Sequence, residues 1–215
     1  MPEPQLPAEP TAPAAAPSGS QRSGGSRRKI APIIALVVAA VLGGLFWVLA
    51  TSKSGVEDQL GVVASPLLDK PAPAVRGTLI GDQPFDLARR KGSWVVLNFF
   101  NTDCVGCVAE HSELVKFTEQ QAAFADGAEL YSIDQLPDTD AKVAVFFAER
   151  GGNWAVVRDD VGAFMVAFGV AQLPETFIID PDGIVRLRWA GPITADVLSN
   201  LVQQERDIYA AGGAG

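Results

Sequence analysis

Cys104 and Cys107 are the only cysteines in a chain of 215 residues, and two residues separate them. They follow Trp94-Val-Val-Leu-Asn-Phe-Phe100, an apolar run of strand length rich in β-formers, and a short polar stretch, Asn101-Thr-Asp103. Beyond them Cys107, Val108, His111, Leu114, Val115 and Thr118 share one side of a helical wheel. The order strand, loop, cysteine, helix puts Cys104 at a helix N-terminus, where unpaired N–H groups and the helix dipole stabilise a thiolate. A pair so placed can run thiol–disulfide exchange. The thiolate of Cys104, the exposed nucleophile, attacks a substrate disulfide. Cys107, one turn further in and more buried, resolves the mixed disulfide. Two alternatives stand beside this reading. The cysteines can be buried structural residues, or they can join His111 in a zinc site, for which no second cysteine pair exists. Covalent haem attachment needs histidine directly after the second cysteine, and Val108 stands there.

The residues around the pair carry further chemistry. Glu110 lies three positions after Cys107, beside it on the helix. A carboxylate there disfavours a thiolate and can move protons, unless it is simply an exposed helical glutamate. Asp103 either offsets the help that the helix end gives Cys104 or caps the helix. His111, the only histidine, shares the stripe of Cys107 and Leu114 and is expected to pack against the sheet, with proton transfer as a second possibility. Pro174, within Leu173-Pro-Glu-Thr176, opens a strand, and a cis bond at that point would bring its loop against the thiols.

Elements that position these residues are legible along the chain. Thr78-Leu-Ile80 and Phe85-Asp-Leu87, joined by Gly81-Asp-Gln-Pro84, predict an N-terminal hairpin, and Arg89 to Gly92 a solvated turn. Strands are expected at 129–134, 154–157, 176–179 and 184–189. Helices are expected at 138–150, ended by Gly151-Gly152, at 161–168, stopped by Gly169, and from Thr194, where Ile193 and Leu198 are spaced as a hydrophobic staple. Strands and helices alternate and a hairpin plus helix closes the chain. The expectation is an α/β domain with a central mixed sheet flanked by helices.

Composition divides the chain. Residues 1–29 are rich in Pro, Ala, Ser and Gly, carry a net charge of +2, and are expected to be a disordered cytoplasmic tail. Ile30 to Ala50 contains no charge and is long enough to span a ~30 Å hydrocarbon core. A cleaved signal peptide is the rival, disfavoured by the long flanking tail and the absence of a clear cleavage site. Basic residues before the span place the N-terminus in the cytoplasm and the remainder outside. Residues 51–72 read as a linker, with contact between 60–63 and either the domain or the membrane left open. The folded domain is expected over 73–209 and a frayed tail over 210–215. Residues 51–215 carry a net charge of −10, which argues against nucleic acid as a partner.

Taken together, several motifs between residues 73 and 205 resemble the thioredoxin-like domain of the membrane-anchored TlpA/ResA/CcmG (DsbE) family. Val96-Leu-Asn-Phe-Phe100 is similar to the strand before that family's active site, with Asn98 where thioredoxin has a buried Asp. Cys104-Val-Gly-Cys-Val-Ala-Glu110-His111 is similar to its CxxCxxEH run, Leu173 to Asp180 to its PETFxID segment, and Asp182 to Gly191 to its closing hairpin. The resemblance implies a cis Pro174 opposite Cys104, Glu110 as the active-site acid, and Glu175 lining the site. It also implies an extracytoplasmic thiol–disulfide reductase, with the Cys104–Cys107 disulfide as its redox centre and no other cofactor or metal. Its implied substrate is the disulfide of apocytochrome c or of other exported proteins, and its implied electron donor a membrane carrier of the CcdA/DsbD kind. The sequence departs from the family at Asp103, where Trp is usual, and in the Val-Gly between the cysteines, both of which change packing and charge around the thiols. A thiol peroxidase is a second hypothesis, weakened by Asn101 and Leu97 where peroxiredoxins carry Thr and Pro. A copper-binding assembly protein of the SCO kind, with its CxxxC and distant His, is a third, and a non-catalytic binding module a fourth.

Overall fold

A computed structural model describes residues 30–51, 61–135 and 138–212. The tail at 1–29 and the end at 213–215 lie outside the described residues, as does 52–60 of the expected linker. Two units are distinct, Met1–Lys53 and Ser54–Gly215. In the first, α1 is a helix over Ile30–Thr51. Its side chains are described only from Ile34 to Phe46, all exposed, a length of about 20 Å at ~1.5 Å per residue. Among the described residues no helix is long and apolar enough to cross a membrane.

The second unit is built on a five-stranded sheet of order β5-β4-β3-β6-β7. Its strands are β3 (Val95–Phe100), β4 (Glu129–Gln135), β5 (Ala155–Asp159), β6 (Glu175–Ile179) and β7 (Val185–Ala190). β3 pairs parallel with β4, and β4 with β5, whereas β6 runs antiparallel to β3 and β7. The mixed sheet follows from the sequence. β3 is buried at all six positions, as the unbroken apolar run of a two-sided central strand requires. β7 alternates, burying Val185, Leu187 and Trp189, as an edge strand with one covered face should.

Helices lie on both faces. Against one face, α2 (Val105–Gln121) and α5 (Ala195–Gly212) pack Leu114, Phe117, Leu198, Leu201 and Val202 onto Val96, Ile178 and Leu187. On the same face α3 (Asp140–Arg150) sets Val143 and Phe146 beside Phe100, Cys107 and Val156. Against the other face, α4 (Ala163–Phe168) and the segment holding Val75, Phe85 and Leu87 cover Leu97, Phe99, Val157 and Phe177. The α2 stripe is rotated from its expected position. Its buried residues are Cys107, Glu110, His111, Leu114, Phe117 and Gln121, while Val108, Val115 and Thr118 are only half-buried. A wheel drawn from apolar residues alone discounts Glu110 and Gln121, which the fold buries.

Element boundaries shift in places. The hairpin comprises β1 (Arg76–Thr78) and β2 (Pro84–Asp86), so Leu79 and Ile80 leave it. They attach to the free edge of β5, with Leu79 bridging Val157 and the Ile80 N–H donating to the Val156 carbonyl at 2.8 Å. The third helix starts at Asp140 behind its N-cap Thr139, which releases Asp138 for another task. Val161 is exposed and precedes α4. Ala210 to Gly212 form the last turn of α5 rather than a tail. Thr194 Oγ1 accepts from Val197 N, and Ile193 and Leu198 are both buried, as a staple requires.

The clearest correction concerns the linker. Thr51 belongs to α1, and residues 61–72 run along the outer edge of β7. Val63 N donates to Arg188 O, Ala190 N to Gly61 O, Asp69 N to Val185 O and Val185 N to Lys70 O, all at 2.8–3.0 Å. Any Cβ on Gly61 would collide with the Trp189 indole. Composition hid this strap because backbone bonds, not an apolar period, hold it. Both sheet edges are thereby covered.

Phe177, fully buried between Phe99 and Phe168, tests the packing. Phe177→Ala is expected to cost about 3–5 kcal/mol in urea unfolding of the oxidised protein; a loss below about 1 kcal/mol would contradict this packing.

Candidate active site

Cys104 is the N-cap of α2. Its Sγ accepts from the Cys107 backbone N–H at 3.1 Å, so the sulfur occupies the position that a Ser or Asp oxygen takes in an ordinary cap. A Cys104–Cys107 disulfide is formed, with Cα atoms 5.2 Å apart. Cys104 is half-buried and Cys107 buried. Reduction would therefore expose the Cys104 sulfur to a donor already aimed at it, at the positive end of a helix dipole.

The turn that delivers Cys104 is clamped from the first turn of α3 and the residue before its cap. Asp138 accepts from Thr102 N at 2.7 Å and from Thr102 Oγ1 at 2.8 Å. Lys142 Nζ bridges Asp138 and Asp103, at 2.8 and 2.6 Å. Asn101 holds the loop from inside, donating to Gln135 O and accepting from Asp103 N. Asp103 is thus neither the cap nor an unopposed charge beside the thiols: its exposed carboxylate is paired with Lys142.

Pro174 stands against the CxxC turn, and the Leu173–Pro174 bond is cis. A Cβ on Gly106 would lie 2.9 Å from Pro174 Cδ and 3.2 Å from Pro192 Cγ. Only glycine lets the two proline loops close on the helix end. Glu175, expected to line the site, instead points away from it. It is fully buried, its carboxylate bonded by Arg188 Nε and Nη2 at 2.8 and 3.0 Å and by the N–H groups of Ala171 and Gln172. It anchors the loop that carries Pro174.

Glu110 is 2% exposed on the face of α2 that also buries Cys107. Oε1 accepts from Asn98 Nδ2 at 2.8 Å and Oε2 from Ile193 N at 3.2 Å. Burial pushes its carboxyl up to about 8, against the pull of those two donors. It is a proton-bearing group near neutral pH, one turn from a thiol. Asn98 also donates to Thr176 Oγ1 and accepts from Ser132 Oγ.

His111 sits elsewhere. Its buried ring packs against Phe146 and Phe147 of α3 and against Trp154, with centroids 4.7–5.0 Å away. Its Nε2 pairs with Gly151 O at 2.8 Å. Burial lowers its proton affinity, so the neutral ring donates that bond. Among the described residues no cluster of three or more His, Cys, Asp or Glu side chains is placed to hold a metal.

The fold thus brings Cys104, Cys107, Asn98, Glu110 and Pro174 into one neighbourhood, with Asp103 at its rim and Glu175 behind it. Sequence reasoning passed over Gly106, Thr102, Asp138, Lys142 and the Ile193 amide. A glycine inside the CxxC was a visible signal for the first; the others depend on contacts between distant segments.

Comparison with known proteins agrees with this geometry. Residues 68–188 match the AhpC/TSA family. The chain is 31% identical to the thiol:disulfide interchange protein HelX of Rhodobacter capsulatus, over 78% of this chain and 89% of that protein. It is 30% identical to the thiol:disulfide interchange protein DsbE of Escherichia coli K12, over 87% of this chain and 99% of that protein. Among solved structures, the thioredoxin domain of a thiol-disulfide oxidoreductase from Bacteroides vulgatus superposes with a TM-score of 0.55 at 24% identity, covering 65% of this chain and 98% of that one. A secreted disulfide oxidoreductase of Mycobacterium tuberculosis gives 0.54 at 21%, covering 60% and 95%. These likenesses place the fold as thioredoxin-like.

Two outcomes follow. Gly106→Val should wedge the CxxC turn from Pro174 and slow disulfide exchange at least about tenfold, roughly the effect of 1.4 kcal/mol on a barrier; an unchanged rate would refute the tight contact. The raised acids also set a pH dependence. Glu110, and Asp134, which burial and the neighbouring Asp138 push up to about 8, bind their protons more tightly folded than unfolded. Their contribution is full below the unfolded carboxylate range and is lost as pH rises towards about 8, by up to ~1.4 kcal/mol per pH unit for each group. Urea titrations of the oxidised protein should show stability falling across that window, less steeply in Glu110→Gln; a flat or rising profile would contradict the buried neutral acid.

Proposed function

We propose, for a chain that belongs to the AhpC/TSA family and to the group of DsbE and HelX thiol:disulfide interchange proteins, that it works as a reductant of protein disulfides outside the cytoplasmic membrane. It is a thiol–disulfide oxidoreductase. The observation that carries the reading is the cysteine pair at the start of α2, with Cys104 Sγ on the Cys107 N–H and buried Glu110 on the same helix.

The residues divide the work. In the reduced protein the Cys104 thiolate, stabilised by the helix end, attacks one sulfur of the substrate disulfide. One substrate thiolate leaves and a mixed disulfide forms. With its carboxyl pushed up to about 8, Glu110 is ionised in a minor fraction of molecules near neutral pH, and in that fraction it takes the proton of Cys107. Cys107 attacks Cys104, the second substrate thiolate leaves, and two electrons have passed to the substrate. What remains is the Cys104–Cys107 disulfide with a protonated Glu110. Recharging runs in reverse: an incoming dithiol opens the disulfide, and Glu110 returns its proton to the departing Cys107 thiolate. Pro174 and Gly106 shape the surface on which the substrate disulfide approaches Cys104, and Asn98 holds Glu110.

The membrane reading rests on the uncharged run from Ile30 to Ala50 and on the basic residues before it. It places the N-terminus in the cytoplasm and the thioredoxin-like unit outside. Apocytochrome c is the substrate favoured by the resemblance to the CcmG group, with other exported disulfide proteins as the broader class. A membrane dithiol carrier of the CcdA/DsbD kind is the fitting donor, because a pair that gives electrons outside the cytoplasm must be refilled across the bilayer.

Trapping tests the division of labour. Full-length Cys107→Ser, expressed in cells, should accumulate mixed disulfides through Cys104, with apocytochrome c among the partners; Cys104→Ser should accumulate none. Equal trapping by both variants, or by neither, would defeat the proposed roles.

A further inference from the structure

A line of hydrogen bonds runs to Glu110 across the face of the sheet that α2 covers, starting at Trp154 just before β5, and its direction is fixed at that outer end. Trp154 Nε1 donates to Ser132 Oγ at 2.9 Å. An indole N–H can only donate, so Ser132 must accept there and is left with its own O–H to give. That O–H points to Asn98 Oδ1, 3.4 Å away. With its carbonyl engaged, the Asn98 amide presents Nδ2 to Glu110 Oε1 at 2.8 Å and to Thr176 Oγ1 at 3.1 Å. Ser132 and Asn98 are each 1% exposed, so water does not replace a lost partner.

We infer that Trp154 and Ser132 are positioning residues for thiol–disulfide exchange: they fix which end of the Asn98 amide faces Glu110, and so how readily Glu110 gives up its proton. The physical reason is an asymmetry. An N–H facing the carboxyl favours its ionised form. A flipped amide would present a carbonyl, which repels a carboxylate and accepts from a carboxylic acid. Burial already holds the proton on Glu110, and the oriented amide works against it. Little else does. Glu110 meets Asn98 from β3 and the Ile193 N–H from the segment after β7. Behind Asn98 stand Ser132 on β4 and Thr176 on β6. Its buried neighbours on α2 are Cys107, His111 and Leu114, and burial keeps His111 neutral. No charged group is among them. The hydroxyl of Ser132 therefore has a disproportionate effect for a residue that touches neither sulfur nor acid.

The inference rests on Glu110 being the proton partner of Cys107, and its test separates the two ideas. The full chain in detergent micelles, labelled with 13C at glutamate carboxyls and oxidised at Cys104–Cys107, is titrated by NMR, with Glu110→Gln identifying the resonance. In Ser132→Ala the Glu110 midpoint should move up by about half a pH unit or more. Trp154→Phe, which keeps the ring packing on His111, should move it the same way. Ser132→Thr, which restores the hydroxyl, should leave it in place. An unmoved midpoint in Ser132→Ala and Trp154→Phe overturns the inference. The pH profile of disulfide exchange is read alongside: if Glu110→Gln leaves that profile unchanged while Ser132→Ala still shifts the NMR midpoint, the catalytic reading of Glu110 fails and the positioning inference stands.

Discussion

The site depends on enclosing one carboxyl group without a countercharge. Glu110 lies within the apolar layer between α2 and the sheet, where an ionised carboxylate costs several kcal/mol. Two neutral donors, from Asn98 and Ile193, meet its oxygens, too little to offset the loss of water. It therefore holds its proton near neutral pH. That single fact links fold and chemistry. The same burial that seats α2 on the sheet puts a proton reservoir one turn from Cys107. The Ile193 amide that serves Glu110 lies two residues before α5, whose residues Leu198, Leu201 and Val202 complete that layer.

Around this acid, backbone segments far apart in sequence converge on the first turn of α2. The Asn101–Asp103 turn is held by Asp138 and Lys142, the opposite side by Pro174 and Pro192 against Gly106. Each proline loop has its own anchor. Glu175 and Arg188 fix the first through four hydrogen bonds to the Glu175 carboxylate. The Trp189 indole, donating to Pro192 O, steadies the second. Trp189 in turn lies under Gly61 of the strap that runs beside β7. The residues that follow the apolar run after the first unit thus take part in the folded domain, beside the strand that leads into Pro192.

Much of this was legible from residue types. The run Val95–Phe100 and the CxxC announced a strand, a loop and a capped helix, because apolar continuity and cysteine spacing are local signals. Gly151 and Gly169 ended helices, and Gly183 closed the turn between β6 and β7, where a positive φ was needed. The resemblance to the CcmG group pointed to Pro174 and Glu110, and the geometry now gives each a physical setting. What stayed hidden depends on partners that no local pattern encodes. Glu110 and Gln121 were polar residues on a buried face. Glu175 was expected at the surface of the site, although Arg188, thirteen residues on, draws it inward. The strap at 61–72 carries no strand period, since it is held through its main chain. Asp138 read as a helical residue and became a clamp, because Thr139 took the cap.

The central claim is that these features hold the pair at a reducing potential, so that electrons leave the protein for its substrate. Equilibrating the Cys104–Cys107 couple against glutathione or thioredoxin buffers measures this directly. The account predicts a midpoint near or below the ~−270 mV of thioredoxin. A value above about −180 mV, the poise of protein disulfide isomerase, would mark an oxidant or isomerase and contradict it.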